Sequence, residues 1–109
     1  MSHAVHEIIQ RHLPEIADLC RAHDVERLDV FGSAARGDDD FDPARSDVDL
    51  LVRFKGNLDR RQASVKIRDL GPALEKLLGR RVDLVREGDI ANPYILRTVE
   101  EDRIPIYEA

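Results

Sequence analysis

The sequence predicts an α/β fold, in which a small mixed β-sheet of about four strands is flanked by helices. Short apolar runs bounded by turn residues predict buried strands. Stretches with apolar side chains at helical spacing separate these runs. The chain has 109 residues, which suits one small domain rather than two. We therefore expect residues 1–109 to form a single domain.

The N-terminal quarter predicts two helices. Apolar residues recur at helical spacing through residues 4–12 and again through 14–23. Proline is tolerated in the first turn of a helix, so one helix should end near His12 and the next begin at Pro14. Cys20 lies among the apolar residues of the second helix, which predicts a buried thiol.

Four apolar runs predict the strands, at 27–31, 48–54, 81–85 and 103–107. The first is followed by a short helix at 33–36, and Lys55-Gly56-Asn57 predicts a turn after the second. Pro105 lacks a backbone donor, so it confines the last strand to a sheet edge.

The two remaining helices flank the third strand. Apolar residues at helical spacing run through 61–78, and Gly71-Pro72 predicts a break, with a firm helix from Pro72 to Leu78. Gly79 is a natural helix stop. Asn92 and Pro93 predict the N-cap and first residue of another helix, whose inner side should carry Tyr94, Ile95, Thr98 and Val99.

Composition excludes several classes of protein. The net charge is −5, which argues against direct nucleic-acid binding, because phosphate contacts need clustered Lys and Arg. No apolar run approaches the length of about 20 residues that a membrane span needs. A single cysteine excludes an internal disulfide. With no secretory signal in view, these features predict a cytoplasmic protein.

Two features around the second strand predict a nucleotide site. Asp47 and Asp49 are one residue apart, so on a strand they point the same way while Val48 and Leu50 point into the core. Neighbouring carboxylates repel unless a cation intervenes, and oxygen ligands favour Mg²⁺. Upstream, Gly32 allows a ligand to approach the backbone closely, and Ser33 offers a hydroxyl where a helix begins, which suits a phosphate.

Other acidic residues allow more than one interpretation. Asp83 alternates with apolar residues on the third strand, and a strand aspartate that simply faces solvent is the alternative to a third site carboxylate. The acidic run at 38–42 is better explained as a solvated loop than as metal ligands. Arg36 is equally compatible with touching phosphate and with pairing to an acid of that loop.

Together these residues resemble a known signature. The segments Gly32-Ser33, Ala35-Arg36-Gly37 and Ser46-Asp47-Val48-Asp49-Leu50 are similar to those of the DNA polymerase beta-like nucleotidyltransferase superfamily. The short chain looks like the minimal nucleotidyltransferase (MNT) branch, the antitoxin half of HEPN–MNT toxin–antitoxin pairs. The resemblance runs from about residue 26 to the C-terminus, and it implies the nucleotidyltransferase, polymerase beta-like palm fold.

The resemblance also implies a reaction. Asp47, Asp49 and Asp83 would be catalytic and would hold two Mg²⁺ ions. The substrate ATP would be bound with the help of Gly32, Ser33 and Arg36. AMP would pass to a hydroxyl, a tyrosine of a HEPN-type toxin, with which the chain would form a hetero-oligomer.

Two alternatives stay open at this stage. The chain could neutralise the toxin by binding alone, or it could be a stand-alone nucleotidyltransferase for small molecules, similar to the aminoglycoside type. The second alternative requires another source for the wall of the substrate site, because the chain is short. The sequence does not identify the nucleotide, the number of AMP units added or the oligomeric state.

Overall fold

A four-stranded mixed sheet organises the molecule, as predicted. The computed structural model describes residues 7–36 and 47–109, with the backbone alone at Ser33 and Arg36. Its elements in chain order are α1 (Glu7–Gln10), α2 (Leu13–Ala22), β1 (Val25–Phe31), α3 (Ser33–Arg36), β2 (Val48–Phe54), α4 (Arg60–Leu78), β3 (Val82–Arg86), α5 (Pro93–Asp102) and β4 (Ile104–Glu108).

The strand order is β3-β2-β1-β4. β1 pairs with β2 and with β4 in antiparallel fashion, whereas β2 and β3 are parallel. The parallel pair needs a long crossover, which α4 supplies. β4 lies at an edge, as Pro105 predicted, and its bounds are shifted by one residue from the predicted 103–107.

The two faces of the sheet differ in their surroundings. On one face, alternate residues of β2 are fully buried in the main core, which also contains side chains of α2 and α4 (Val48, Leu50, Val52, Ile16, Cys20, Ala63, Leu70 and Leu74). The intervening residues of β2 point to the second face, because successive side chains alternate along a strand. α5 contacts β1, and its buried residue Val99 lies outside the main core cluster.

The predicted break in the fourth helix is wrong, because α4 runs without interruption through Pro72. A capping box starts it: Gln62 N–H donates to Asp59 Oδ1 over 2.8 Å, and Asp59 N–H donates to Gln62 Oε1 over 3.0 Å. Pro72 is exposed, so water can reach the carbonyl that loses its helical donor. Burial of the opposite face then holds the helix together. The predicted stop at Gly79 is confirmed, with φ at 70°.

The predicted inner side of α5 is the face that the helix turns towards the sheet, but most of that face is not buried. Asn92 does cap the helix, accepting a hydrogen bond from Tyr94 N–H over 2.9 Å. However, only Val99 is buried, while Tyr94 is 81% and Ile95 51% exposed. The periodicity found the correct face, but that face meets the sheet only towards the C-terminal end of the helix.

Cys20 is fully buried, as predicted. Burial raises the pKa of its thiol to about 12, against a small opposing effect of Arg21. The thiol is therefore protonated at neutral pH and serves as an apolar side chain.

No helix in the described part of the chain is both long enough and apolar enough to cross a membrane.

Candidate active site

The turn after β1 brings the backbone next to a carboxylate. Gly32 leads from Phe31 into α3, and its φ of +72° is a backbone conformation that residues with a side chain rarely adopt. A Cβ at this position would lie 2.5 Å from Asp49 Oδ2. Glycine therefore serves two purposes here, since it makes the turn and allows the Asp49 carboxylate to lie against the backbone.

Asp49 and Asp83 are neighbours on adjacent strands. They are paired in register across β2 and β3, and on the other side Asp49 is paired with Phe31 of β1. Strands lie about 4.8 Å apart, so the two carboxylates project side by side from one face. Val48 and Leu50 are fully buried on the opposite face, as predicted. Like charges at paired positions repel, which favours a cation between them.

Asp47 lies one residue before β2 and is exposed. The adjacent Val48 N–H donates to the Arg81 carbonyl over 3.0 Å, which joins this end of β2 to the start of β3. Within residues 7–36 and 47–109, no three carboxylate, imidazole or thiol groups are close enough together to form a metal site by themselves. The participation of Asp47 in a triad with Asp49 and Asp83 stays a prediction.

The predicted phosphate-binding residues are only partly described. Ser33 and Arg36 are the first and last residues of α3, and Ala35 N–H donates to the Gly32 carbonyl over 3.1 Å. The side chains of Ser33 and Arg36 lie outside the described part of the structure, as do Gly37, Ser46 and the acidic run at 38–42. Their predicted roles therefore remain predictions.

The paired carboxylates fit a magnesium ion that arrives with a nucleotide. Mg²⁺ is usually held by one or two carboxylates together with substrate phosphates and water, rather than by a complete protein cage. Asp49 and Asp83 supply oxygen donors only, and the absence of a side chain at Gly32 lets the Asp49 carboxylate lie next to the backbone of the turn. A metal ion held by these carboxylates would therefore lie close to that turn.

Gly32→Ala should lower the activity of this site about 100-fold, because a displacement of roughly 1 Å at a reactive centre has that effect. The new Cβ would push the Asp49 carboxylate away from its present position. The strained backbone should also lower the free energy of unfolding by about 1–2 kcal/mol. The measurements are nucleotidyl transfer and urea denaturation.

Gly56→Ala is the matched control. Gly56 has φ at +82°, so it suffers the same backbone strain, but a Cβ there would meet nothing within 4 Å. It should lose similar stability and keep full activity. Equal activity of the two variants would show that the approach of Gly32 to Asp49 has no catalytic importance.

A cavity of about 280 Å³ adjoins Asp49. It is lined by Phe31, Gly32, Asp49, Tyr94, Ile95, Thr98 and Val99. The α5 residues were predicted to lie on the inner side of their helix, but the sequence did not predict that they line a cavity next to Asp49. The available signal was the face of α5 itself, which combines an aromatic and two aliphatic residues with a threonine.

An ion-pair network lies on the same face of the sheet as Asp49. Its central residue is Asp29, two residues before Phe31 in β1. Asp29 is fully buried, and it accepts hydrogen bonds from Arg27 Nε over 2.9 Å and Arg103 Nε over 2.5 Å. Arg103 also reaches Glu87 over 2.6 Å, and Glu87 pairs with Arg53 over 2.5 Å. Because Arg103 is the C-cap of α5, the network fixes that helix to the sheet.

The network shifts the ionisation of its members. Burial by itself would raise the pKa of Glu87, but hydrogen bonds from Arg103 and Arg53 outweigh it and hold that pKa below the ordinary 4.5. Burial by itself would lower the pKa of Arg103, but its hydrogen bonds to Glu87 and Asp29 outweigh burial and raise the pKa of the guanidinium. Both groups are therefore charged over the whole physiological range.

The stability that Glu87 contributes should depend on pH. Because its pKa is lower in the folded state, the contribution is complete above pH 4.5 and is lost as the pH falls through the folded-state value. Glu87→Gln should cost about 1 kcal/mol at neutral pH. Urea denaturation of both proteins across the acidic range should show this difference shrinking. A difference that persists unchanged to about pH 2 would contradict the assignment.

Comparison with known proteins identifies the family. The model of the family "Nucleotidyltransferase domain" matches residues 13–106. A relative from Methanocaldococcus jannaschii, named "Putative protein adenylyltransferase", is 38% identical over an alignment of 100 residues. The alignment covers 84% of this chain and 95% of the relative.

Solved structures share the fold. A protein described as a "putative minimal nucleotidyltransferase" is 37% identical, with a TM-score of 0.69, over 96% of this chain and 99% of its own. A tri-AMPylated Shewanella oneidensis HEPN toxin in complex with an MNT antitoxin matches at 20% identity and a TM-score of 0.62, over 93% of this chain and 73% of the matched chain. A toxin–antitoxin structure with AMP-PNP matches at 22% identity and a TM-score of 0.65, over 89% of this chain and 73% of the matched chain. At these lower identities the likeness shows the fold, and the predicted nucleotidyltransferase fold is confirmed.

Proposed function

This chain belongs to the nucleotidyltransferase domain family, and we propose that it transfers AMP from ATP to a tyrosine hydroxyl of a HEPN-type toxin, acting as the antitoxin. The observation that carries the proposal is the pairing of Asp49 with Asp83, with the Asp49 carboxylate against the Gly32 turn. Two carboxylates that repel each other at paired positions suit a divalent cation bound together with a triphosphate.

The relatives support the acceptor. The Methanocaldococcus relative carries the name of a protein adenylyltransferase, and a structure with the same fold holds an AMPylated HEPN toxin beside an MNT antitoxin. The bound AMP-PNP in another such structure supports ATP as the donor. A HEPN toxin in a hetero-oligomer would supply the opposite wall of the site, and such a pair would act in the cytoplasm.

Each residue would have a defined part in the reaction. Asp47, Asp49 and Asp83 would hold two Mg²⁺ ions, which neutralise the triphosphate and acidify the acceptor hydroxyl. Gly32 and Ser33 would hold the β- and γ-phosphates, with Arg36 as a further phosphate contact. Fixed in this way, the α-phosphorus is presented to the hydroxyl oxygen. A new P–O bond forms there, the hydroxyl proton is released, and pyrophosphate leaves.

The test is a direct transfer assay. The chain should be incubated with ATP, Mg²⁺ and a HEPN toxin, and the toxin should gain the mass of one or more AMP units at a tyrosine. Chelation of the metal should abolish the gain, and added Mg²⁺ should restore it. A toxin that is fully neutralised without gaining mass would instead support the alternative in which the chain acts by binding alone.

A further inference from the structure

The cavity beside Asp49 has two chemically different ends. One end is formed by Gly32 and Asp49, and the other by the side chains of α5 together with Phe31. A nucleoside triphosphate has the same division, since a polyanion is joined through a ribose to a flat aromatic base. The volume of about 280 Å³ is close to the lower limit of roughly 300 Å³ for small-molecule sites, so it suits part of a ligand.

The apolar end presents large side chains to solvent. Tyr94 is 81% and Ile95 51% exposed, and both line the cavity. Leu96, the next residue, is 43% exposed but does not line it. A base that stacks on an aromatic side chain gains about 1–3 kcal/mol. Binding there would also remove apolar surface from water.

The wall that carries these side chains is held at both ends. At the start of α5, the Asn92 side chain accepts a hydrogen bond from Tyr94 N–H, and Thr98 Oγ1 donates to the Tyr94 carbonyl over 3.1 Å. At its end, Arg103 is paired with the buried Asp29. A wall that is already fixed loses little entropy when a ligand binds.

We infer that this cavity is the nucleobase subsite of the nucleotide site, with Tyr94 and Ile95 as its wall. The inference rests on the proposed function in taking the Gly32 and Asp49 end as the phosphate end. The base is tied to the phosphates by the ribose, so it must lie next to the groups that hold them. An acceptor ring, in contrast, comes from another molecule and needs only to bring its hydroxyl to the α-phosphorus.

The experiment compares a ligand that has a base with one that lacks it. Binding of ATP and of inorganic triphosphate should be measured by calorimetry with Mg²⁺, without toxin. Tyr94→Ala should weaken ATP about tenfold and leave triphosphate unchanged. Tyr94→Phe keeps the ring and should bind ATP normally. Leu96→Ala is the matched control on the same helix, and neither ligand should be affected.

A spectroscopic measurement gives an independent readout. The chain has no tryptophan and two tyrosines, so Tyr107→Phe leaves Tyr94 as the single strong fluorophore. ATP should quench its emission, whereas triphosphate should not. Because this readout needs no transfer reaction, it can succeed even if the toxin proves not to be the acceptor.

Three results would overturn the inference. If wild-type protein binds ATP no more tightly than triphosphate, the base has no subsite. If Tyr94→Ala weakens both ligands equally, Tyr94 acts on the phosphate end. If Tyr94→Ala leaves ATP binding unchanged but raises the KM for the toxin, the cavity holds the acceptor ring. The last outcome would leave AMP transfer intact, so it separates this inference from the proposed function.

Discussion

Replacing Asp49 by asparagine is expected to lower the rate of AMP transfer about 10³-fold, the scale seen when one group that stabilises a transition state is removed. The amide removes a negative charge beside Asp83, to which Asp49 is paired in register, and with it the attraction for a divalent cation. Raising the Mg²⁺ concentration should recover only part of the rate, because it offsets the weaker binding of the ion but does not replace the lost negative charge. The measurement is the initial rate of toxin modification.

The paired geometry makes a further prediction about Asp83. If the two carboxylates act as one unit, Asp49→Asn combined with Asp83→Asn should lose little more activity than either change alone. Asp18→Asn is the control, since this carboxylate is exposed on α2 and pairs with Arg21 far from the site in sequence. Losses that multiply in the double variant would show that the two acids act independently. Full activity of Asp49→Asn would reject the catalytic role of the pair.

The second large effect is expected on stability. Asp29→Asn should lower the free energy of unfolding by about 2–3 kcal/mol, because it removes the charge from two buried hydrogen bonds while Arg103 keeps its pairing with Glu87. Asp29 is 0% exposed and the Arg103 side chain only 14% exposed, so water cannot replace the lost carboxylate. A change of this size should lower the Tm by roughly 10–20 °C. Thermal and urea denaturation measure it.

Two controls test whether the network is the cause. Asp18→Asn makes the same change in an exposed ion pair and should stay within about 0.5 kcal/mol of wild type. Asp29→Leu combined with Arg103→Met replaces both charges by apolar side chains, and it should recover part of the loss. If Asp29→Asn costs less than about 1 kcal/mol, Glu87 alone is enough to compensate the Arg103 charge, and the bond to Asp29 does not fix α5.

Local patterns predicted most elements correctly. What they missed depends on how the elements pack against one another. β2 was predicted with its final bounds, and the Asn92 cap and the Gly79 stop were correct, since each depends on a few adjacent residues. The break at Pro72 was wrong because packing of the opposite helix face outweighs a local backbone defect. The inner face of α5 was predicted correctly, but its exposure was not, because periodicity finds an apolar face without showing what covers it.

The sequence by itself determined the local features of the candidate site: Asp49 on a strand with Asp47 just before it, and a glycine turn before a short helix. These follow from period-two alternation and from backbone geometry, which act over a few residues. The tertiary structure alone decided that Asp83 lies beside Asp49 and that Gly32 approaches the same carboxylate. It also decided that the inner face of α5, with Tyr94 and Ile95, borders a cavity. Strand order and helix placement depend on contacts between residues far apart in the chain, and no local pattern encodes those contacts.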